Sequence, residues 1–479
     1  MKKLLTTVLA VWMAVITVMA PVQANSAETH WRGADAAGAI VVDGQCPIEV
    51  EKEVLTFDVS EFPSNLYYEK EEYLSYKGKV TAEYTFRNPT DLTVTATLAF
   101  PFGVIPDYIY LYDKTSASYV MNADAERYDI TVNGEPIGKN IRYTLKADRT
   151  FDLTSDLPKL RDTYQTDPFY SPDMTVTQYT YTVSLNEEKA TANVAFDWNG
   201  GDGKTKLWFP KQGGFHAKKN GDAIFGTWAS NGDTVIVYAI GQPLSVPMMW
   251  KCYANGRTED ADEIDGTVTL TSTETTTLEA LVLTHWDETT GISKIDWYNA
   301  AIDSFRESAD GYAPYHFVED AFGFLSGSNR YMKNLMRWYE YNITVAPHES
   351  IVNTVTAPIY PSINADYEPA VFSYTYFLSP ASTWASFDAL DVVIRTPFFI
   401  TENSLDGFEK TDVGYALSCD GLPEGELEFT LCSVEKPSKG DWMVVEDIFT
   451  VLLYGVPIIL GAVLFTAVIF FSVRKLKKK

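Results

Sequence analysis

Through the first half of the chain, apolar side chains recur at every second position in short runs, and each run is closed by turn-forming residues. Residues 80–86 alternate Val, Ala, Tyr and Phe with polar neighbours. Asn88-Pro89-Thr90-Asp91 supplies turn chemistry, and 92–100 alternates Thr with apolar residues until Pro101. That pattern predicts a hairpin with one solvated face. Further strands are predicted at 128–132 before Asn133-Gly134, and at 176–185, 190–198 and 234–240. Short strands separated by Gly, Pro and Asn turns describe a β-sandwich.

The apolar period changes beyond Gln242-Pro243. Thr276 with Glu279 has the spacing of a capping box, and Leu278, Leu281, Val282 and His285 share one helical face. Ser293 with Asp296 repeats the device ahead of Ile295, Tyr298, Ile302 and Phe305. A third amphipathic pattern is Met332, Leu335, Met336 and Tyr339. Strands are expected again at 340–345, 351–356, 370–378, 389–394, 414–419 and 426–432. Tyr374 and Tyr376 lie at period two and, with Trp384 and Phe387, read as sandwich core rather than as a sugar-stacking surface. One internal echo is present: Glu83-Tyr84 and Glu340-Tyr341 each open a strand, and the spacing to Pro101 and to Pro358 is the same. Recurrence of a hairpin pattern accounts for it, and so would two related β modules.

The longest uncharged run, 448–473, ends on Arg474, Lys475, Lys477, Lys478 and Lys479. A helix of that length rises about 39 Å, enough for a hydrocarbon core of about 30 Å. Basic residues beside a span stay in the cytoplasm, so the preceding chain is expected outside the cell. Lys2 and Lys3 before an apolar stretch, with Val22-Gln23-Ala24 at a peptidase site, predict a leader cleaved after Ala24; the alternative is an uncleaved signal anchor. The fold class expected is therefore mainly β, an antiparallel β-sandwich ectodomain with a helical section and one C-terminal transmembrane helix. Its divisions are a signal peptide 1–24, a sandwich domain 25–245, a linker and strand 246–275, a helical section 276–342, a second β domain 343–435, a stalk 436–447, the span 448–473 and a basic tail 474–479.

The net charge of −26 includes the basic termini, so the ectodomain itself is more acidic still. Nucleic acid is excluded as a partner, because binding a polyanion requires a basic patch that releases counterions. Cys46, Cys252, Cys419 and Cys432 are too few for a disulfide scaffold. Cys419 and Cys432 flank Asp420-Gly421-Leu422-Pro423-Glu424-Gly425, where a hairpin would let them bridge; Cys46 with Cys252 would complete the set.

Residues 50–55, 80–86, Asn88-Pro89-Thr90-Asp91 and Phe100-Pro101 together resemble the opening of VIT-like β modules, found in inter-alpha-trypsin inhibitor heavy chains and in uncharacterised bacterial surface proteins. The resemblance covers about a fifth of the chain and implies a β fold, not an activity. The Asp-x-Ser-x-Ser metal motif of the von Willebrand A domain that often follows such modules is absent from this sequence.

Few residues carry recognisable chemistry. His348-Glu349-Ser350-Ile351-Val352 lacks the second His of a zincin, and Gly323-Phe324-Leu325-Ser326-Gly327 misses the nucleophile elbow by one place. Two acidic loops offer hard oxygen ligands for Ca²⁺: Asp260, Asp262 and Asp265 in one, Asp197 and Asp202 in the other. Ile264 occupies a ligand place of an EF-hand loop, and both loops also read as solvated turns. No cofactor other than Ca²⁺ is suggested. The functional expectation is an uncharacterised single-pass cell-surface protein that binds or senses a protein or glycan partner, and the alternative is a membrane-tethered hydrolase using paired carboxylates.

A tag placed after Asn25 should be external and one after Lys479 cytoplasmic. Protease added to intact cells is expected to remove the first alone, and loss of the second would reverse the orientation.

Overall fold

The expected alternation appears as strands whose burial also alternates. Glu49–Asp58 and Lys79–Arg87 each bury every second side chain over most of their length, as a pleated strand with one covered face requires. This computed structural model describes residues 30–439 apart from short internal stretches, of which 65–75 and 308–316 are the longest. Among the described residues no helix is long and apolar enough to cross a membrane. The leader 1–24, the span 448–473 and the tail 474–479 lie outside those residues, as does most of the stalk.

Three sheets share one hydrophobic core. An eight-stranded sheet runs in the order Glu135–Pro136, Asp129–Val132, Ser350–Pro358, Lys79–Arg87, Glu49–Asp58, Ala389–Arg395, Gly414–Asp420 and Glu409–Thr411. Its strands are antiparallel except where Ala389–Arg395 lies parallel to Glu49–Asp58. A four-stranded sheet comprises Asn140–Leu145, Leu335–Val345, Val94–Gly103 and Ile40–Val41. The third sheet is built on Val371–Phe377 and Leu427–Cys432. Tyr374, Tyr376 and Trp384 are buried in the core, as the period-two reading expected.

Residues 80–100 do not form the expected hairpin. Lys79–Arg87 belongs to the eight-stranded sheet and Val94–Gly103 to the four-stranded one, so the chain crosses between sheets at Asn88. Its echo does the same in reverse, from Leu335–Val345 into Ser350–Pro358. The two crossings then pair with each other, Glu83 opposite Thr354 and Ala99 opposite Glu340. Asn88, fully buried, joins them. Its Nδ2 donates to the carbonyl oxygens of Leu92 at 2.7 Å, Val345 at 3.0 Å and Ala346 at 3.1 Å, while its Oδ1 accepts from the Thr90 amide. Local periodicity detects each strand but not a partner 257 residues away.

That pairing also overturns the contiguous division of the chain. The shared core draws on residues 39–130 and 339–431 together, so 25–245 and 343–435 are not separate domains. The intervening chain forms an inserted unit whose two ends meet where Leu145 pairs with Leu335 and the Lys146 amide donates to the Asn334 carbonyl at 2.9 Å. Within the insert, Thr205–Trp208, Thr234–Gly241, Thr175–Leu185 and Gly266–Thr277 form one sheet. Gly214–Ala217, Ala223–Ser230, Thr191–Trp198 and Trp250–Tyr253 form the other, with an aromatic-rich core between them. The expected linker 246–275 thus contributes a strand to each sheet.

The helical section is shorter than expected. Leu278–Val282 and Lys294–Glu307 are helices, and Ser293 caps the second through a 3.0 Å bond from the Asp296 amide. The first is capped by Thr277, whose hydroxyl accepts from Ala280, rather than by Thr276. The third amphipathic pattern is a single turn, Arg330–Lys333, followed by strand. Residues 335–339 are buried on both faces between two neighbouring strands, Arg337 included, and large side chains without alternation imitate a helical stripe. The proposed Cys419–Cys432 hairpin is likewise absent. Cys419 pairs with Leu390 in the eight-stranded sheet, Cys432 pairs with Phe399 in another sheet, and both are free thiols, as is buried Cys252. Cys46 packs half-buried against the large core, apart from the insert that holds Cys252.

Arg142 ties the insert to the sheets. Its guanidinium meets both Asp296 carboxylate oxygens on the long helix at 3.1–3.2 Å and Glu340 at 3.1 Å, and Asp296 also accepts from the Tyr143 amide. Further along that helix, Asn299 and Asp303 hold Gln165 of the insert's first segment, ahead of its sheets.

One carboxylate in the large core has no cation beside it among the described residues. Glu53 is 1% exposed, and its Oε1 accepts from the Tyr376 hydroxyl at 3.3 Å; that hydroxyl lies 3.2 Å from the one on Tyr84. Burial pushes its pKa from 4.5 to about 7, although the two tyrosines pull the other way. A carboxyl group whose folded pKa is raised supports the fold below its unfolded value, and that support is lost as pH rises through about 7. At about 1.4 kcal/mol per unit, the loss is roughly 3 kcal/mol. The melting temperature is therefore expected to fall between pH 5 and pH 8. In Glu53→Gln the fall should be distinctly smaller, and equal pH profiles for the two proteins would remove Glu53 as its source.

Candidate functional site

The insert carries a cleft of 440 Å³ lined by Pro168, Phe169, Met174, Thr175, Lys204, Lys206, Gly241 and Gln242. One wall is the junction of Thr205–Trp208 with the end of Thr234–Gly241, where Thr205 opposes Gly241 and Lys206 opposes Ile240. Gly241 has a φ of +97°, and a Cβ there would fall 2.2 Å from the Lys204 carbonyl oxygen. The same oxygen accepts from the Gln242 amide at 3.0 Å, so the chain can turn this tightly only with glycine at 241. The other wall is the loop 167–174. Asp167 folds it by accepting from the amides of Phe169 at 2.7 Å and Tyr170 at 2.8 Å, which leaves Phe169 at the rim.

Strand alternation decides where Lys206 points. Leu207 and Phe209 enter the core between the two sheets of the insert, whereas Trp208 joins the helical layer on the opposite face. Lys206 shares that opposite face and is 2% exposed. Its Nζ lies 4.0 Å from the Met174 sulfur and 5.2 Å from the centroid of the Tyr170 ring. No carboxylate among the described residues pairs with it. Desolvation lowers its pKa from 10.5 to about 8, and the face of Tyr170 partly compensates the charge. Lys204 stands exposed two residues earlier, and none of the lining residues is acidic.

Such a site attracts a negative group. The buried ammonium lacks its counter-charge, and a ligand anion would supply one in a place where water screens poorly. It is ill suited to hydrolysis by paired carboxylates, since it contains none. The raised carboxyl pKa values occur elsewhere: Glu53 within the large core, and Asp296 and Asp303 on the long helix, where burial raises both and Arg142 and Gln165 engage them.

The residues singled out in the sequence lie away from this cleft. Asp197 is exposed at the end of Thr191–Trp198, and Asp262 and Asp265 are exposed beside Gly266–Thr277; Asp202 and Asp260 lie outside the described residues. Among the described residues no group of three or more His, Cys, Asp or Glu could hold a metal ion. His348 sits in a turn with its Nε2 2.8 Å from Asp91, consistent with the absence of a zincin helix. Sequence reasoning passed over Lys206. Its only local signal is a lysine in phase with Trp208 along a short strand.

No family model matches the chain, and no curated protein matches it. A solved structure with similarity is that of a candidate nutrient-binding protein from Legionella pneumophila subsp. pneumophila str. Philadelphia 1. It shares 10% identity over 84% of this chain and 72% of that one, with a TM-score of 0.32. Similarity at that level transfers neither fold nor function.

A buried lysine with a depressed pKa weakens the fold while charged, and the cost disappears as pH rises from about 8 toward 10.5. Lys206→Met is thus expected to raise the melting temperature at pH 6 and to change it little at pH 10.5. A stabilisation independent of pH would mean that packing, rather than charge, is responsible.

Proposed function

We propose that the chain is a binding protein, held at the cell surface by the span 448–473, whose cleft takes a small ligand through an anionic group. The observation that carries this reading is the ammonium of Lys206, buried without a carboxylate partner and lining a cleft free of acidic residues. Its setting sharpens the contrast, because the chain as a whole carries −26. A surface of that sign repels anions in general, so an anion would gain from this site only by reaching the two lysines directly. Phe169 and Met174 supply apolar surface for the remainder of the ligand, and Gln242 and Thr175 supply polar groups for orientation. The carboxylate-hydrolase alternative finds no support in the cleft.

The test is calorimetric titration of the purified protein with panels of small carboxylates and phosphates, each matched with a neutral isostere. At least one anion should bind at pH 7, with affinity falling tenfold or more in Lys206→Met and also falling in the parent as pH is raised above 8. Equal affinity for the neutral isostere, or an unchanged affinity in Lys206→Met, would remove the proposal. Trp208, stacked on Tyr238 at 4.8 Å in the adjoining layer, provides a fluorescence readout of the same titration.

A further inference from the structure

The insert's sheet of Gly214–Ala217, Ala223–Ser230, Thr191–Trp198 and Trp250–Tyr253 turns one face to a core, and strand alternation assigns the other. Ala192, Val194, Phe196, Phe225, Ala229 and Cys252 enter that core. The opposite face therefore carries Trp228 beside Asn193 and Gly226 beside Ala195, each pair directly opposed on neighbouring strands. Trp228 is 51% exposed, and its ring meets no other aromatic ring and no cation among the described residues. Asn193 is the reverse case. It is 4% exposed, yet its side chain makes no hydrogen bond among the described residues, although a buried amide ordinarily recovers its lost hydration from protein partners. Gly226 shows where that amide lies. A Cβ at 226 would sit 3.1 Å from Asn193 Oδ1 and 3.6 Å from Nδ2, so the amide occupies the space a side chain would take. Trp228 is two residues along the same strand and on the same face, which places the amide at the foot of the open indole.

These groups and their neighbours select the ligand. The indole offers a flat apolar face, and the amide beside it offers two donors and an acceptor. Thr191 and Ser230, opposed in the next pair along, add exposed hydroxyls. The four strands hold one lysine and no arginine, and that lysine, Lys251, is 2.8 Å from Glu263; their one carboxylate is Asp197. An acidic ligand would find no uncompensated cation here. A protein partner would find a single ring among neutral polar groups rather than a broad apolar centre. A pyranose matches the arrangement, because one face of its ring is C–H and its rim is hydroxyl. We propose that the Trp228–Asn193 face binds a neutral sugar residue of a glycan, with its C–H face on the indole and a hydroxyl on the amide. This site is separate from the Lys206 cleft, which is walled by a strand of the insert's other sheet.

Calorimetric titration tests the site, using the purified full-length chain in a detergent without a sugar headgroup. The probes are neutral tetrasaccharides of glucose, mannose, xylose and N-acetylglucosamine, with a tetrasaccharide of uronic acids as the charged counterpart. At least one neutral probe should bind. Its affinity should fall tenfold or more in Trp228→Ala and less in Trp228→Phe, which keeps a stacking face. Asn193→Leu should also weaken binding tenfold or more with no fall in melting temperature, because it removes a buried amide that has no protein partner to lose. That combination separates a ligand contact from a misfolded variant. Absence of binding to every neutral probe would overturn the inference. So would affinity unchanged in Trp228→Ala or in Asn193→Leu, or a preference for the uronic-acid probe.

Discussion

The crosswise pairing of two sheet-to-sheet crossings is the contact on which the architecture rests. Lys79–Arg87 with Ser350–Pro358 and Val94–Gly103 with Leu335–Val345 bring distant parts of the chain into one core. The chain from 146 to 334 must leave and return at one place, and it does so where Leu145 pairs with Leu335. An insert of its own sandwich and helices is the result. Asn88 stands at the centre of this arrangement, because a buried amide whose bonds run to both crossings tolerates only one relative placement.

Three buried charges illustrate three ways a fold handles ionisation. Arg142 and Asp296 neutralise each other across the junction of insert and sheet, with backbone groups satisfying the rest of their capacity. Glu53 has only tyrosine hydroxyls for company and responds by holding its proton more tightly. Lys206 has an aromatic face and a sulfur, neither of which cancels a full charge, and it lines an open cleft. The first arrangement completes a contact and the second is sealed in the core. Only the third leaves a charge where a molecule from outside could meet it.

The same physics explains why the insert, rather than the larger sandwich, carries the cleft. In the large unit the eight-stranded sheet and its two partners enclose a single core containing Tyr84, Tyr374, Tyr376, Phe57 and Phe86, all nearly inaccessible. The insert packs two smaller sheets and a helical layer around separate cores. Seams between layers leave space, and the seam at Met174 and Gly241 is where that space opens to solvent.

Much of the local structure was legible in the sequence. Period-two burial marked the strands at 80–86, 176–185 and 389–394, Asn133-Gly134 marked its turn with positive φ at both residues, and Ser293 with Asp296 marked a helix start. Each depends on residues within a few positions of one another, where side-chain spacing and backbone preference act directly. Strand partnership was not legible: Cys419 and Cys432 are near neighbours in sequence yet pair into different sheets. Nor was the identity of 335–339, since burial on both faces erases the alternation that distinguishes strand from helix. The candidate site was hidden for the same reason. Alternation can say that Lys206 and Trp208 share a face, but only the packing of a loop from 167–174 over that face decides that the ammonium is buried, unpaired and beside a cleft.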